Sequence, residues 1–186
     1  MPFTFTPCPI PGLYEIQPKI FGDERGYFFE SYSEKDFAAA GITLPFVQDN
    51  QSRSGKGTLR GLHFQKRFPQ GKLVRAVQGE VFDVAVDIRP GSDTYGKWHA
   101  VILSGEKQNQ FYIPPGFAHG FLALSENAVF AYKCTDFYSP QDEGGIIWND
   151  PNIGIEWPDL KMEYNLSDKD KKLPLLLELV ERAGTK

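Results

Sequence analysis

The chain has 186 residues with a formal net charge of −4 at pH 7, and 14% of its residues are aromatic. Because it also contains 18 Gly and 14 Pro, its composition favours a β-rich domain over a helical one. It has no apolar run near the roughly 18 residues of a membrane span, no signal peptide at its start, and too few cysteines (Cys8 and Cys134) for a disulfide scaffold. We therefore expect a cytoplasmic protein that forms one domain over residues 1–186, without membrane association.

The charge is distributed unevenly along the chain. Residues 51–79 contain seven basic side chains and no acidic one, which leaves 13 of the 20 basic residues to face 24 acidic residues elsewhere. An acidic protein with a single basic segment is a poor candidate for nucleic-acid binding. The segment suits a small anionic ligand such as a diphosphate. A solvated basic surface is the alternative.

The first predicted elements lie near the N-terminus. A turn at 22–26 leads into an aromatic strand at 27–32. Ser33 and Asp36 form the Ser-x-x-Asp start of a short helix, which is expected to end at Gly41.

The central part of the chain predicts paired strands. The runs 73–76 and 80–88 are expected to form one hairpin at Gly79, and the runs 99–104 and 110–113 a second. Strand alternation in the run 80–88 divides its side chains between two faces. One face carries Val81, Asp83, Ala85 and Asp87, and the other carries Phe82, Val84, Val86 and Ile88.

The last predicted elements are a strand and a short helical tail. Residues 128–138 alternate as a strand, and Ser167 with Asp170 forms a second helix start. Pro174 interrupts that helix, so we expect a short helix on either side of it. Many short strands followed by a helical tail predict an all-β barrel or sandwich.

Three histidines are the first candidates for chemistry. His63, His99 and His119 are too far apart in sequence for a His-x-His metal pair. His63 lies in the basic segment and could act as a general base near neutral pH, although a hydrogen-bonded core histidine is the alternative. His99 follows Trp98 in a predicted strand and is expected to be a structural or surface residue.

Other candidates have equally plausible structural roles. Tyr132 could transfer a proton, but a tyrosine inside a barrel is more often a packed aromatic with a bonded hydroxyl. Lys72 could stabilise an oxyanion, or simply be solvated. Asp170 is expected to cap its helix.

Several motifs together are similar to those of a known family. Arg60-Gly61-Leu62-His63-Phe64-Gln65 and Pro114-Pro115-Gly116-Phe117-Ala118-His119-Gly120-Phe121 are highly specific, and segments 23–30, 48–52, 71–75, 79–87, 132–135 and 147–150 follow in the same order. The chain resembles the dTDP-4-dehydrorhamnose 3,5-epimerases from about residue 12 to residue 174. The resemblance implies a cupin (jelly-roll) β-barrel with a few short helices, mainly at the C-terminus. It also implies a homodimer that shares N-terminal strands.

The resemblance bears on metal binding as well. Pro114-x-Gly116-x-x-His119 is similar to the second cupin motif, but the His-x-His pair of the first motif stands here as His63-Phe64-Gln65. One metal ligand is therefore missing, and the resemblance implies a reaction without metal or other cofactor.

The resemblance also implies catalytic roles. His63 would remove the protons on C3 and C5 of a 4-keto sugar nucleotide, and Asp170 would orient His63 and raise its basicity. Lys72 would stabilise the enolate, while Tyr132 would supply a proton from the opposite side of the ring.

Binding of the thymidine diphosphate would involve a larger set of residues. The resemblance assigns it to Arg25, Phe28, Glu30, Gln48, Asn50, Arg60, His119, Tyr138, Glu143 and Lys169. Arg25 would act across the dimer, and Phe28 and Tyr138 would contact rings. In the basic segment, Lys66 and Arg67 are expected to be solvated.

The sequence thus predicts epimerisation of dTDP-4-dehydro-6-deoxyglucose at C3 and C5, giving dTDP-4-dehydro-L-rhamnose for dTDP-L-rhamnose biosynthesis. An epimerase acting only at C3 or only at C5 would use the same base. A third alternative is a metal-dependent cupin, such as an isomerase or dioxygenase. The missing His-x-His pair argues against it. A non-catalytic cupin that binds sugar nucleotides would not need the combination of a base and an acid.

Overall fold

The computed structural model describes residues 2–179, and most of its elements are strands. The strands are β1 (Phe3–Pro7), β2 (Tyr14–Pro18), β3 (Phe21–Asp23), β4 (Gly26–Phe28), β5 (Gln48–Ser54), β6 (Leu59–Gln65), β7 (Lys72–Gln78), β8 (Glu80–Asp87), β9 (Trp98–Ser104), β10 (Gln110–Ile113), β11 (Phe117–Ala123), β12 (Ala128–Cys134) and β13 (Glu143–Gly145). The helical elements are α1 (Glu34–Ala39), a 3₁₀ helix at Asp170–Lys172 and residues 176–179. Within the described range, these helices are too short to cross a membrane.

The strands form two large antiparallel sheets that pack face to face. One sheet has the order β1-β2-β10-β7-β12-β5 and the other β13-β6-β11-β8-β9, while β3 and β4 form a separate hairpin. Apolar side chains of both sheets, including Val74, Phe111 and Phe130 from the first and Val81 and Phe121 from the second, meet in one buried core. The predicted all-β jelly roll is confirmed, with the described strands arranged as two sheets that do not close into one barrel.

Both predicted central hairpins are wrong. β7 and β8 follow each other at Gly79 but belong to different sheets, and so do β9 and β10 on either side of Gly105. Each glycine lies at a corner where the chain crosses between sheets, and the Gly105 N–H donates to the Gly79 carbonyl at 2.8 Å. A Cβ on Gly105 would lie 2.8 Å from the Gln78 Cα, so the two corners pack too closely for a side chain. A turn glycine predicts a change of direction without showing which sheet receives the next strand.

The outer faces of the two sheets are covered by different segments. Phe37 of α1 packs with Ile16, Leu73 and Tyr112 on the six-stranded sheet. Parts of the C-terminal segment cover the five-stranded sheet, where Ile146, Ile153 and Leu176 pack against Val84 and Val86. The predicted faces of β8 are confirmed, since Val81 and Ala85 lie in the inner core.

The predicted start of the first helix is confirmed, and two strand ends are corrected. The Ser33 hydroxyl accepts from the Asp36 N–H at 3.5 Å, and α1 ends at Ala39, before Gly41. The aromatic strand ends at Phe28 instead of residue 32, and β12 ends at Cys134 instead of residue 138. After β12, the backbone groups of residues 136 and 138 bond to the side chains of Gln70 and Gln48 instead of to a neighbouring strand.

The C-terminal segment follows the predicted break at Pro174. The Ser167 hydroxyl accepts from the Asp170 N–H at 3.1 Å, and one 3₁₀ turn follows at Asp170–Lys172. Beyond Pro174, residues 176–179 are helical. The rest of the second predicted helix lies outside the described residues.

Candidate functional site

A cavity of about 560 Å³ lies between the two sheets. A second cavity of about 340 Å³ adjoins it, and four side chains line both: Asn50, His63, Lys72 and Tyr132. These volumes are typical of sites for small molecules. All four predicted catalytic residues line the larger cavity.

His63 projects from β6 in the five-stranded sheet, and its acid partner arrives from the C-terminal segment. Its Nε2 lies 2.8 Å from Asp170 Oδ1, while the Gly61 N–H donates to Asp170 Oδ2 at 3.5 Å. Burial opposes ionisation of Asp170, but the hydrogen bonds from His63 and Gly61 lower the pKa of its carboxyl below the ordinary value. A proton on Nε2 therefore points at a carboxylate and leaves the lone pair on Nδ1.

Two glycines allow this arrangement. A Cβ on Gly61 would lie 2.6 Å from the Gly120 Cα, and one on Gly120 would lie 2.6 Å from the Arg60 carbonyl oxygen. The backbones of β6 and β11 therefore approach where larger residues would clash. His63 and His119 lie directly opposite each other in this strand pair. The close approach of β6 and β11 therefore positions both imidazoles.

Lys72 and Tyr132 face His63 from the opposite sheet. They project from the adjacent strands β7 and β12, and neither side chain makes a hydrogen bond with another residue in the range 2–179. Burial lowers the pKa of the Lys72 ammonium, against the opposing influence of Cys134, Asp83 and Glu143. Burial raises the pKa of the Tyr132 phenol. The Lys72 amine and a protonated phenol thus stand opposite His63, and neither has a hydrogen-bond partner among the described residues.

His119 forms a second, more deeply buried pair with Asp83. Its Nε2 lies 3.0 Å from Oδ1 and 2.9 Å from Oδ2 of Asp83, and its ring is stacked on Phe130 at 6.1 Å. Burial raises the pKa of Asp83, partly offset by His119 and Lys72. Burial lowers the pKa of His119, so its ring is neutral at neutral pH.

The predicted ligand-binding residues around the two cavities form a hydrogen-bonded rim. Glu143 Oε2 accepts from Lys169 Nζ at 2.6 Å and from the Tyr138 hydroxyl at 3.0 Å. Burial opposes ionisation of Glu143, but these bonds lower the pKa of its carboxyl. Gln48 Nε2 donates to Asn50 Oδ1 at 3.0 Å.

Arg60 lines the larger cavity with its Nε 3.2 Å from Ser54 Oγ. The remaining donors of its guanidinium make no bond within residues 2–179, so they are available to an anion. Of the seven basic side chains in residues 51–79, the larger cavity is lined by Arg60 and Lys72. Arg67 was expected to be solvated, but it pairs with buried Asp142 at 3.0 Å while most of its side chain remains exposed.

Three predicted ligand-binding residues lie away from both cavities. Arg25 and Phe28 belong to the β3–β4 hairpin region, where their exposed fractions are 84% for the Arg25 side chain and 68% for Phe28. Arg25 Nη2 pairs with Asp23 Oδ2 at 2.5 Å, and Glu30 is also exposed. Within this one chain, none of the three lines the cavities described above.

The sequence interpretation missed two buried polar residues at the site. Asp83 lies on the inner face of β8, and a charged residue between Val81 and Ala85 on that face was the available signal. Gln65 was noted only as the replacement of a metal ligand, yet its buried amide bonds to two loops at the second cavity. His99 is half-buried beside Phe111, as expected for a structural residue. Within residues 2–179, no three His, Cys, Asp or Glu side chains are grouped to hold a metal ion.

The chain is similar to known proteins over most of its length. Residues 7–178 match the dTDP-4-dehydrorhamnose 3,5-epimerase family. The dTDP-4-dehydrorhamnose 3,5-epimerase of Salmonella typhimurium is 57% identical over 169 residues, which are 90% of this chain and 92% of that protein.

Two solved structures extend the comparison. The dTDP-6-deoxy-D-glucose-3,5-epimerase of Legionella pneumophila, solved with dTDP-4-keto-L-rhamnose, has a TM-score of 0.92 at 55% identity, covering 94% of this chain and 93% of that chain. A 3'-monoepimerase of Streptomyces bikiniensis, solved with dTDP-quinovose, has a TM-score of 0.88 at 36% identity. The match covers 96% of this chain and 90% of that chain. With the match extending over residues 7–178 and relatives above 50% identity, the chain belongs to the dTDP-4-dehydrorhamnose 3,5-epimerase family.

Proposed function

We propose that this chain is an isomerase that epimerises dTDP-4-dehydro-6-deoxyglucose at C3 and C5, giving dTDP-4-dehydro-L-rhamnose for dTDP-L-rhamnose biosynthesis. The observation that carries the proposal is the placement of the His63–Asp170 pair on one sheet, facing Lys72 and Tyr132 on the other. Family membership supports the same reaction.

The reaction depends on the ketone at C4 of the sugar. Hydrogens on C3 and C5 are acidic because the negative charge left by their removal is delocalised onto the ketone oxygen. His63 takes each proton on Nδ1, and Asp170 stabilises the imidazolium that forms. Lys72 places its positive charge at the enolate oxygen, where charge develops in the transition state.

Tyr132 completes the inversion. It lies on the sheet opposite His63, and burial keeps its phenol protonated by raising its pKa. A proton delivered from this side reaches the sugar face opposite to the one that lost its proton, so the stereocentre inverts. His63 then releases its proton to solvent and the Tyr132 phenolate takes one up, which resets both groups for the second carbon. These steps move only protons, and the proposed chemistry therefore needs no redox or metal cofactor.

The nucleotide end of the substrate is assigned to the rim of the two cavities. The free donors of Arg60 would bind the diphosphate in a bidentate manner, supported by Lys169 and the His119 ring. Gln48, Asn50 and Glu143 offer amide and carboxylate groups to the nucleoside, and Tyr138 offers a ring.

A homodimer would complete the site. Arg25, Phe28 and Glu30 are exposed on or next to the β3–β4 hairpin, beside other exposed apolar rings such as Tyr27. An exposed aromatic hairpin is typical of a surface that a partner covers. In the proposed dimer, this hairpin delivers the three residues to the cavity of the second copy. Free Cys8 and Cys134 support a cytoplasmic, reducing location.

Epimerisation at a single position is the second candidate, because the 3'-monoepimerase of Streptomyces bikiniensis has the same fold. The two candidates separate when the protein is incubated in D₂O with dTDP-4-dehydro-6-deoxyglucose and C3 and C5 are followed by proton NMR. Deuterium at both carbons with inverted product is the expected result. Exchange at one carbon would select the single-position enzyme, and no exchange at either would contradict both.

A further inference from the structure

Gln65 ends β6 two residues after His63, on the same face of the strand. Its side chain is buried and lines the second cavity. The catalytic scheme above gives it no task. Buried amides need partners for two N–H donors and one carbonyl acceptor, so the partners of Gln65 show what the residue holds in place.

The Gln65 amide bonds to three backbone groups on two loops. Its Nε2 donates to the Phe68 carbonyl at 2.7 Å and to the Phe137 carbonyl at 3.2 Å. Its Oε1 accepts from the Ser139 N–H at 2.8 Å. Among uncharged side chains of this length, only an amide supplies two donors and an acceptor from one planar group.

The residue between two of these contacts is Tyr138. Its neighbours Phe137 and Ser139 are both tied to Gln65, and its own N–H donates to Gln48 Oε1 at 2.9 Å. Three successive residues are therefore fixed by two glutamine side chains. Tyr138 remains 52% exposed and lines the second cavity, which leaves its ring accessible to a planar ligand.

Asp142 secures the other loop independently. Its Oδ2 accepts from the Arg67 and Phe68 N–H groups, both at 2.8 Å. Loss of the Gln65 amide would leave these bonds in place. The consequence should therefore be confined to residues 137–139, without general loss of the fold.

We propose that Gln65 is a positioning residue for nucleotide binding, which acts by holding Tyr138 against the planar base of the substrate. The inference rests on the proposed function, since it requires a sugar nucleotide at this site. The position that holds a metal-binding histidine in other cupins is thereby used to fix a loop.

The test compares Gln65→Met with Gln17→Met. Gln17 also donates its Nε2 to two backbone carbonyls, those of Pro18 and Lys107, at 3.2 and 2.9 Å, but it lies outside the cavities. We expect Gln65→Met to raise the Kd for dTDP, measured by calorimetry, and the KM by about tenfold, with kcat changed less than about twofold. Gln17→Met should match the wild type. Equal dTDP affinity in Gln65→Met and wild type would overturn the inference.

A double-mutant cycle with Tyr138→Ala separates positioning from a structural role. If Gln65 acts through Tyr138, Gln65→Met should add no further loss of dTDP affinity in the Tyr138→Ala background. The same tenfold loss in both backgrounds would overturn the inference. If Gln65→Met does not fold, Gln65→Glu, which keeps the acceptor and lacks the donors, gives the same comparison. Absence of dTDP binding by the wild-type chain would instead contradict the proposed function.

Discussion

Two His–Asp pairs lie side by side in the site, and they differ in where the acid comes from. His63 and His119 are direct partners in β6 and β11, and the Nε2 of each contacts an aspartate. Asp83 belongs to β8 in the same sheet as His119, whereas Asp170 belongs to the C-terminal segment, outside both sheets. The side chain of His63 is 31% exposed, and that of His119 is 9% exposed.

The difference indicates that the two His–Asp pairs have different roles. Asp170 has a lowered pKa despite its burial and so presents a carboxylate to a ring that opens on the cavity. Burial lowers the pKa of His119, which keeps its ring neutral and its orientation fixed. We therefore assign proton transfer to the His63 pair, and ligand contact and internal stability to the His119 pair. Six substitutions, in these pairs and in the residues that face them, would break or sharpen this distinction.

The largest effect is expected from His63→Ala. Without the Nδ1 base, deuterium exchange at C3 and C5 should fall by about 10³–10⁴-fold, because the proposed arrangement has no second base at the sugar. The affinity for dTDP, measured by calorimetry, should stay within about threefold. His119→Ala is the matched comparison and should weaken dTDP binding. If the two variants lost exchange equally, the assignment of proton transfer to His63 would be wrong.

Asp170→Asn should have the next largest effect. An amide lacks the charge that stabilises the imidazolium, and its NH₂ group can hold the wrong tautomer, so kcat should fall by about 10²–10³-fold. Asp83→Asn should preserve more of kcat but lower the free energy of unfolding by about 1–3 kcal/mol, since it disturbs a fully buried pair. Kinetics and urea unfolding of both variants provide the check. A reversed pattern, with Asp83→Asn losing more turnover, would contradict the distinction.

Tyr132→Phe should affect inversion more than proton removal. The variant keeps the ring and loses only the hydroxyl, so we expect inverted product to form about 10–10²-fold more slowly while exchange at C3 and C5 is largely retained. NMR in D₂O reports both quantities in one experiment. Parallel loss of exchange and inversion would show that Tyr132 is not simply the acid.

The fold and the inward-facing positions follow from the sequence, but the two pairs do not. Alternation placed Asp83 on the inner face of β8 because strand geometry is local. Its partner His119 is 36 residues away and adjacent only because β8 pairs with β11. Asp170 is 107 residues from His63, and local pattern gave it only a capping role. The family resemblance supplied that pair.

The two hairpin predictions were wrong for the same reason, because strand pairing depends on residues that are distant in sequence. Gly79 and Gly105 predict turns because glycine relieves local crowding, and turns are present at both positions. Which strand pairs with which depends on apolar packing between strands distant in sequence, and a turn residue carries no information about it. Gln65 was overlooked for a related reason, since its three bonds reach loops that only the folded chain brings together.

The smallest expected effect is a shift in the pH profile. Burial lowers the pKa of Lys72 from its ordinary value of 10.5, so the ammonium loses its charge at a lower pH than an exposed lysine does. Enolate stabilisation, and with it kcat, should fall over that range. The Tyr132 phenol has a raised pKa and stays protonated there.

Lys72→Arg tests which group produces this alkaline decline. A guanidinium stays charged to pH values above about 12, so the decline in kcat should move upward by at least about one pH unit. Tyr132→Phe serves as the control and should leave its position unchanged. If the alkaline decline in kcat stayed at the same pH in Lys72→Arg but disappeared in Tyr132→Phe, the titrating group would be the Tyr132 phenol. The cation opposite His63 would then not be the group whose charge the enolate requires.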